Sequence, residues 1–259
     1  MRITTTVRTT LCLIGACLVA LPIAAAHAQA DEIQVYTGEL AAPREFSLTV
    51  HGNYTAKGIK TAGFAGGVVP QGSVNGAVEW AYGVSEWFEA GAYLPVYSIT
   101  RDGSVLVDGV KLRALFAVPH AETRSFFYGV NFEYSRNAKH WDQSRYTGEI
   151  RPIVGARSGH WDVIANPILD TSFDGFGSLV FAPSLRVANN ITPEFALAVE
   201  HYAEFGQLNA FEPRGQQPHN IFAVTDFSHK SFSVEFGIGT GLTDASDKLV
   251  IKTILARTF

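Results

Sequence analysis

The chain has 259 residues, 47% of them hydrophobic and only 17% charged, with 24 glycines and a formal net charge of −4. An acidic balance makes nucleic acid a poor partner, because that affinity rests on neutralising phosphates. Both cysteines, Cys12 and Cys17, lie near the N-terminus, so a fold built from the remainder owes nothing to disulfides.

The N-terminus reads as an address. Arg2 and Arg8 precede LCLIGACLVALPIAAA, and AQA at Ala28–Ala30 is an A-x-A cleavage site. The apolar run is shorter than the roughly 20 residues of a transmembrane anchor. Residues 1–30 are therefore expected to be a cleaved signal peptide, whose loss removes two arginines and takes the formal charge from −4 to −6. IGAC, ending at Cys17, weakly matches a lipoprotein site, but cleavage there would leave LVALPIAAA on the mature chain. Next comes DEIQVYTGELAAP, and residues 31–44 are expected to form a periplasmic arm or a plug. No later apolar run is long enough for a helical span, so a membrane-bound mature chain must cross as strands.

Alternation of period two then recurs to the C-terminus. Phe46, Leu48, Val50 and Tyr54 share one parity. Val74, Val78, Trp80 and Tyr82 do the same, as do Phe126, Tyr128, Val130, Phe132 and Tyr134, and later Phe232, Val234, Phe236 and Ile238. Such runs predict strands with one apolar face. Twelve are expected, near 45–56, 73–84, 87–98, 107–118, 125–136, 146–157, 161–172, 179–190, 194–205, 219–227, 231–242 and 248–259. About ten residues is the transmembrane β length, whereas strands of soluble sandwiches run about 5–6. Their connections alternate long and short, as in outer-membrane barrels with outer loops and periplasmic turns. The fold class expected is thus an all-β, closed antiparallel transmembrane barrel over residues 45–259, in the outer membrane of a Gram-negative bacterium.

The last strand, KLVIKTILARTF, ends on Phe259. It resembles the C-terminal signature of outer-membrane proteins, which implies the barrel assembly machinery as a partner beside outer-membrane lipid; Arg257 departs from the usual apolar residue. Trp80, Tyr82, Phe88, Trp161 and Phe195 fall near inner ends, and Tyr134 and Tyr146 near outer ends, where aromatic girdles or plain β-propensity would put them. Pro95, Pro152, Pro167 and Pro183 lie inside strands, and a missing ladder donor predicts local bulges there.

Charges cannot face lipid cheaply, so the inward parity is where chemistry would lie. It carries Glu79, Glu89, Lys111, Arg113, Asn131, Glu133, Glu149, Arg151, Asp170, Arg186, Glu200 and Lys252, with Asp162, Asn166, Glu204, Asp226 and Glu235 beside them. Either these charges fill a narrow lumen as ion pairs, or they line a passage that selects small solutes. Arg113 on strand 4 and Glu133 on strand 5 are expected to pair directly.

Other motifs are weaker. EHYAE offers Glu200, His201 and Glu204, but on a strand His201 points away from both glutamates. GIGTG at Gly237–Gly241 lacks the strand-to-helix setting of a phosphate loop and reads as small inward residues under crowded side chains. No metal or cofactor is expected. A lipid-hydrolase reading would rest on His201, His219, Asn220 and Ser178 near the outer rim, with no evident serine partner for the histidines.

DEIQVYTGEL, EWAYGVSEWFEAGAYLPVY, KLRALF and GEIRPIVG carry a whole-chain resemblance to uncharacterised proteobacterial outer-membrane β-barrels regarded as transporters. The chain is similar to the barrel family named after the MetA pathway of phenol degradation. That resemblance implies uptake or efflux of small, hydrophobic or aromatic molecules, and it transfers no functional residue.

Overall fold

A computed structural model describes residues 31–259; the signal-peptide and Cys17 readings lie outside the described residues. Its twelve staves form one closed antiparallel barrel. They are β1 (Phe46–Lys57), β2 (Val74–Ser85), β3 (Phe88–Ile99), β4 (Val105–Ala117), β5 (Phe126–Asn137) and β6 (Tyr146–Ser158). β7 comes in two pieces, Trp161–Asn166 and Leu169–Thr171, and so does β8, Val180–Phe181 and Ser184–Thr192. Then follow β9 (Phe195–Ala203), β10 (His219–His229), β11 (Phe232–Gly241) and β12 (Leu249–Thr258). Each stave lies within two residues of its predicted span at either end. β1 pairs with β12 from Ser47↔Thr258 to Tyr54↔Ile251, which closes the sheet and leaves no edge. No helix among the described residues is long and apolar enough to cross a membrane. The crossing is made by strands.

Alternation decides what faces what. On β1, His51, Asn53 and Thr55 are buried inside while Phe46 and Tyr54 are exposed outside. On β5, Phe127, Asn131, Glu133 and Ser135 point in, and Phe126, Tyr128, Phe132 and Tyr134 point out. The exposed apolar side chains thus form an outer band, as a barrel in lipid requires. Aromatic stacks mark both ends of it. Trp87, Phe88 and Phe116 stack at the short-turn rim, and Tyr134 stacks on Tyr146 beside Phe173 at the long-loop rim.

The prolines interrupt this regularity in two ways. Pro95 sits where the β3–β4 register shifts between Tyr93 and Val96, so inward parity passes from Tyr93 to Val96. The other three form a row. Register carried between Val154↔Ala165 and Ile150↔Leu169 sets Pro152 opposite Pro167. Register carried between Ser184↔Asn166 and Leu169↔Phe181 sets Pro167 opposite Pro183. Three residues without an N–H at one level split β7 and β8, while β6 stays continuous against β5 through Val130↔Pro152. Beyond β9, Glu204 and Phe205 lead into a small outer hairpin, Gly206–Gln207 with Ala210–Phe211, seated on Val180–Phe181.

Candidate functional site: the lumen

Residues 31–41 run inside the barrel. The segment enters from the short-turn rim, where the Arg44 N–H donates to the Gly83 carbonyl (2.7 Å). Gly83 is obligatory there, because a Cβ would overlap the Ala41 and Ala42 carbonyls. Gly38, at φ 75°, turns the chain past Phe127 and Ile153 in a conformation that favours glycine. Above it, Val35 and Tyr36 pack into a cluster with Leu115, Phe127, Ile153 and Ile164. The barrel wall also binds the segment's backbone. Asn166 accepts from the Tyr36 N–H (2.7 Å) and donates to the Tyr36 carbonyl (3.1 Å). The carbonyls of Asp31, Ile33 and Gln34 accept from Asn53, Lys252 and Arg151 (3.1, 3.1 and 3.2 Å). Lower down, Glu89 accepts from the Ala41 N–H (2.5 Å).

Tyr36 is the centre of this clasp. Two guanidinium groups lie over its ring, that of Arg151 at 4.4 Å and that of Arg113 at 5.6 Å from the centroid. Its hydroxyl meets the Tyr93 hydroxyl at 2.5 Å and reaches Glu133 at 3.5 Å. Nothing in the alternation of the strands points to Tyr36, which lies before the first of them; the acidic pair Asp31–Glu32, facing a wall that carries Lys111, Arg113 and Arg151, is the signal that could have found the segment's place.

The inward charges fall into two networks. In the first, Arg113 bonds Glu79 (2.6 Å) and Glu89, and Glu79 also meets His51 (3.2 Å). Lys111 holds Asp31 (2.6 Å) and Glu133 (3.6 Å); Arg151 holds Glu149 through two nitrogens (2.6 and 2.9 Å) and approaches Glu32 (3.6 Å). Asn131 donates to Glu133 (2.9 Å), and Asp170 stands opposite Glu149 on the neighbouring stave. The second network joins Arg186 to Glu200, Asp226 and Glu235, and Lys252 to Glu200 and Glu235, with the Tyr202 hydroxyl donating to Glu200 (2.7 Å). Asp162 lies apart, beside Arg157 at 3.4 Å.

One expected pair is corrected. Arg113 and Glu133 are cross-strand partners in register, yet they form no ion pair. Arg113 turns toward β2 and β3, where two carboxylates converge, and Glu133 turns to Lys111, Asn131 and Tyr36. A long side chain in a lumen chooses among all inward neighbours, not only the one across the ladder.

The segment parts the lumen into two cavities. The outer one, about 170 Å³, has Ile33 at its floor and Tyr202, Glu204, Phe222, Trp141 and Val250 among its walls. The inner one, about 530 Å³, lies beneath residues 34–41 and reaches the short-turn rim.

The outer-rim histidines face away from the lumen. His201 Nε2 and His219 Nδ1 are 3.2 Å apart, and His219 also meets Gln217 (3.2 Å). The structure does not bring the other residues of the hydrolase reading to them. Ser178 donates to the Gly175 carbonyl (2.7 Å), and Asn220 lines the outer cavity. Gly237 and Gly239 are small because Lys252 and Phe222 cover them: a Cβ at either would overlap those side chains.

A closed barrel with an apolar outer band and a charged interior defines the class: this is an outer-membrane β-barrel. Neither a protein-family model nor a curated protein matches the sequence. Among solved structures, the chain is similar in fold to the COG4313 outer membrane channel from Pseudomonas putida F1. That match has a TM-score of 0.58 at 14% identity and covers 85% of this chain and 97% of that one. It is also similar to the KdgM porin, with a TM-score of 0.54 at 7% identity, over 82% of this chain and 99% of that one.

Proposed function

We propose that the protein is an outer-membrane passage for small solutes, with residues 31–41 as its plug. The observation that carries this reading is the division of one lumen into two cavities by a segment held through hydrogen bonds and ion pairs, not by a strand ladder. A segment tied at one end by the chain and elsewhere by side chains can shift without breaking a stave. The outer cavity is walled largely by apolar and aromatic groups, which suits small hydrophobic or aromatic molecules, the class that the resemblance to the MetA-pathway barrels implies. Glu79, Glu89, Lys111, Arg113, Glu133, Glu149, Arg151, Arg186, Glu200 and Lys252 are assigned to the passage wall. Lipid surrounds the outer band, and Phe259 at the end of β12 is the residue that the assembly machinery would read.

Planar-bilayer recording tests the proposal. The intact chain should show small or intermittent conductance, and deletion of residues 31–40 should raise it several-fold. If neither protein carries ions nor lets solutes cross, the charges are structural filler and the passage reading fails.

A further inference from the structure

The outer cavity contains one acidic group for which the passage reading assigns no task. Besides the Tyr202 phenol, three ionisable residues line it: His140, Glu204 and Asp247. His140 is engaged by Asp108 (2.9 Å), and Asp247 accepts from the Ile59 N–H (2.8 Å). Glu204 lies just beyond the end of β9, where its backbone N–H is satisfied by the Pro218 carbonyl (3.0 Å). Among the described residues no cation pairs with its carboxyl group; the charged groups that act on it, Glu212 and Asp170, are both acids. Lys252, on the same stave as the cavity-lining Val250, is already neutralised by Glu200 and Glu235. Burial, reinforced by Glu212, pushes the Glu204 carboxyl up to about 8.

An acid without a base, set in an aromatic-walled cavity, is short of one cation. Tyr202, Phe222 and Trp141 supply aromatic rings, and Ile33 and Val250 supply apolar wall. An ammonium group in such surroundings gains a charge-assisted bond and the attraction of the rings. The volume of about 170 Å³ is close to that of an apolar cavity known to admit benzene, so the body that fits is a single ring.

We propose that the outer cavity is a binding site for a small aromatic amine, with Glu204 as the counter-ion of its ammonium group. The inference rests on the passage proposed above only for where the amine goes next. Binding itself is measured without flux, so the two can fail separately.

The test is calorimetric titration of the refolded full chain in detergent with benzylamine, benzyl alcohol and benzoate. Benzylamine should bind saturably and benzoate at least tenfold more weakly. Glu204→Gln should weaken benzylamine at least tenfold and leave benzyl alcohol within about threefold. Since only the carboxylate pairs with the ammonium, benzylamine affinity should rise at least tenfold between roughly pH 6 and pH 8.5, where an alkylamine keeps its proton. His140, Asp170, Glu212 and Asp247 also face this region, so the rise must disappear in Glu204→Gln to be assigned to Glu204. Benzoate binding as tightly as benzylamine, or an unchanged affinity in Glu204→Gln, overturns the proposal. If that variant does not fold, a flat pH profile in the unaltered protein overturns it instead.

Discussion

Arg113 stands opposite Glu133 in the ladder but gives its charge to Glu79 and Glu89, and all four side chains are buried in the barrel. Removing the guanidinium would leave two buried carboxylates without their shared cation, with His51 beside Glu79 and the Ala41 N–H at Glu89. Breaking a buried pair from one side typically costs about 3–5 kcal/mol. Arg113→Ala should therefore lower unfolding stability by about 3 kcal/mol in urea titrations, whereas Arg101→Ala, in an outer loop, should stay within about 0.5 kcal/mol. Tyr36 calls for a subtler change. Tyr36→Phe keeps the ring against Arg113 and Arg151 but deletes the hydroxyl that meets Tyr93 and reaches, at 3.5 Å, Glu133. Loss of one such bond costs about 1 kcal/mol, a factor of about five in an equilibrium. If the segment is the plug, single-channel records of this variant should show an open probability about fivefold higher.

The staves themselves were legible in the sequence because side chains on a strand alternate, so their number, parity and approximate ends follow from apolar spacing alone. Phe126 to Tyr134 is an example in which every second residue is aromatic or aliphatic and every one of those faces out. The inward charges were legible for the same reason. Their pairings were not, since alternation fixes a face and says nothing about which of several inward neighbours a guanidinium reaches. DEIQVYTGELAAP has no period to read, and its place inside the barrel depends on Asn166, Asn53 and Arg151, which are distant in sequence. Pro152, Pro167 and Pro183 were visible as breaks, but their alignment in one row needed the register of three staves. A segment held this way should resist salt. The Lys111–Asp31 pair is nearly buried and such pairs are screened little, so conductance of the intact chain should grow with salt no faster than that of the chain lacking residues 31–40.

Across the whole molecule the interior is acidic. Eight buried acids (Asp31, Glu32, Glu79, Glu89, Asp108, Glu133, Glu149 and Glu200) stand against four buried permanent cations (Arg113, Arg151, Arg186 and Lys252) among the described residues. Charges with low-dielectric walls around them focus their field into the lumen. Any current through it should be carried mainly by cations, and reversal potentials in a potassium chloride gradient will read that preference directly. An anion-selective current would contradict the assignment of these groups to the passage wall.

The row formed by Pro152, Pro167 and Pro183 has a consequence for how the wall keeps time. Each rung of a ladder holds an amide proton that leaves only when the rung opens, and at this level the rungs are missing on two successive seams. Isotope exchange should therefore run at two rates on the same staves. The amides of Val163–Ala165, paired on both sides, should keep their protons far longer than that of Ile168, whose N–H turns back to the Asn166 carbonyl (3.1 Å) within its own stave; the Ala182 N–H, which donates across the seam to the Ile168 carbonyl (3.0 Å), should stay protected. The barrel would then be slow to exchange along most of β7 and β8 and fast at one point beside the gap.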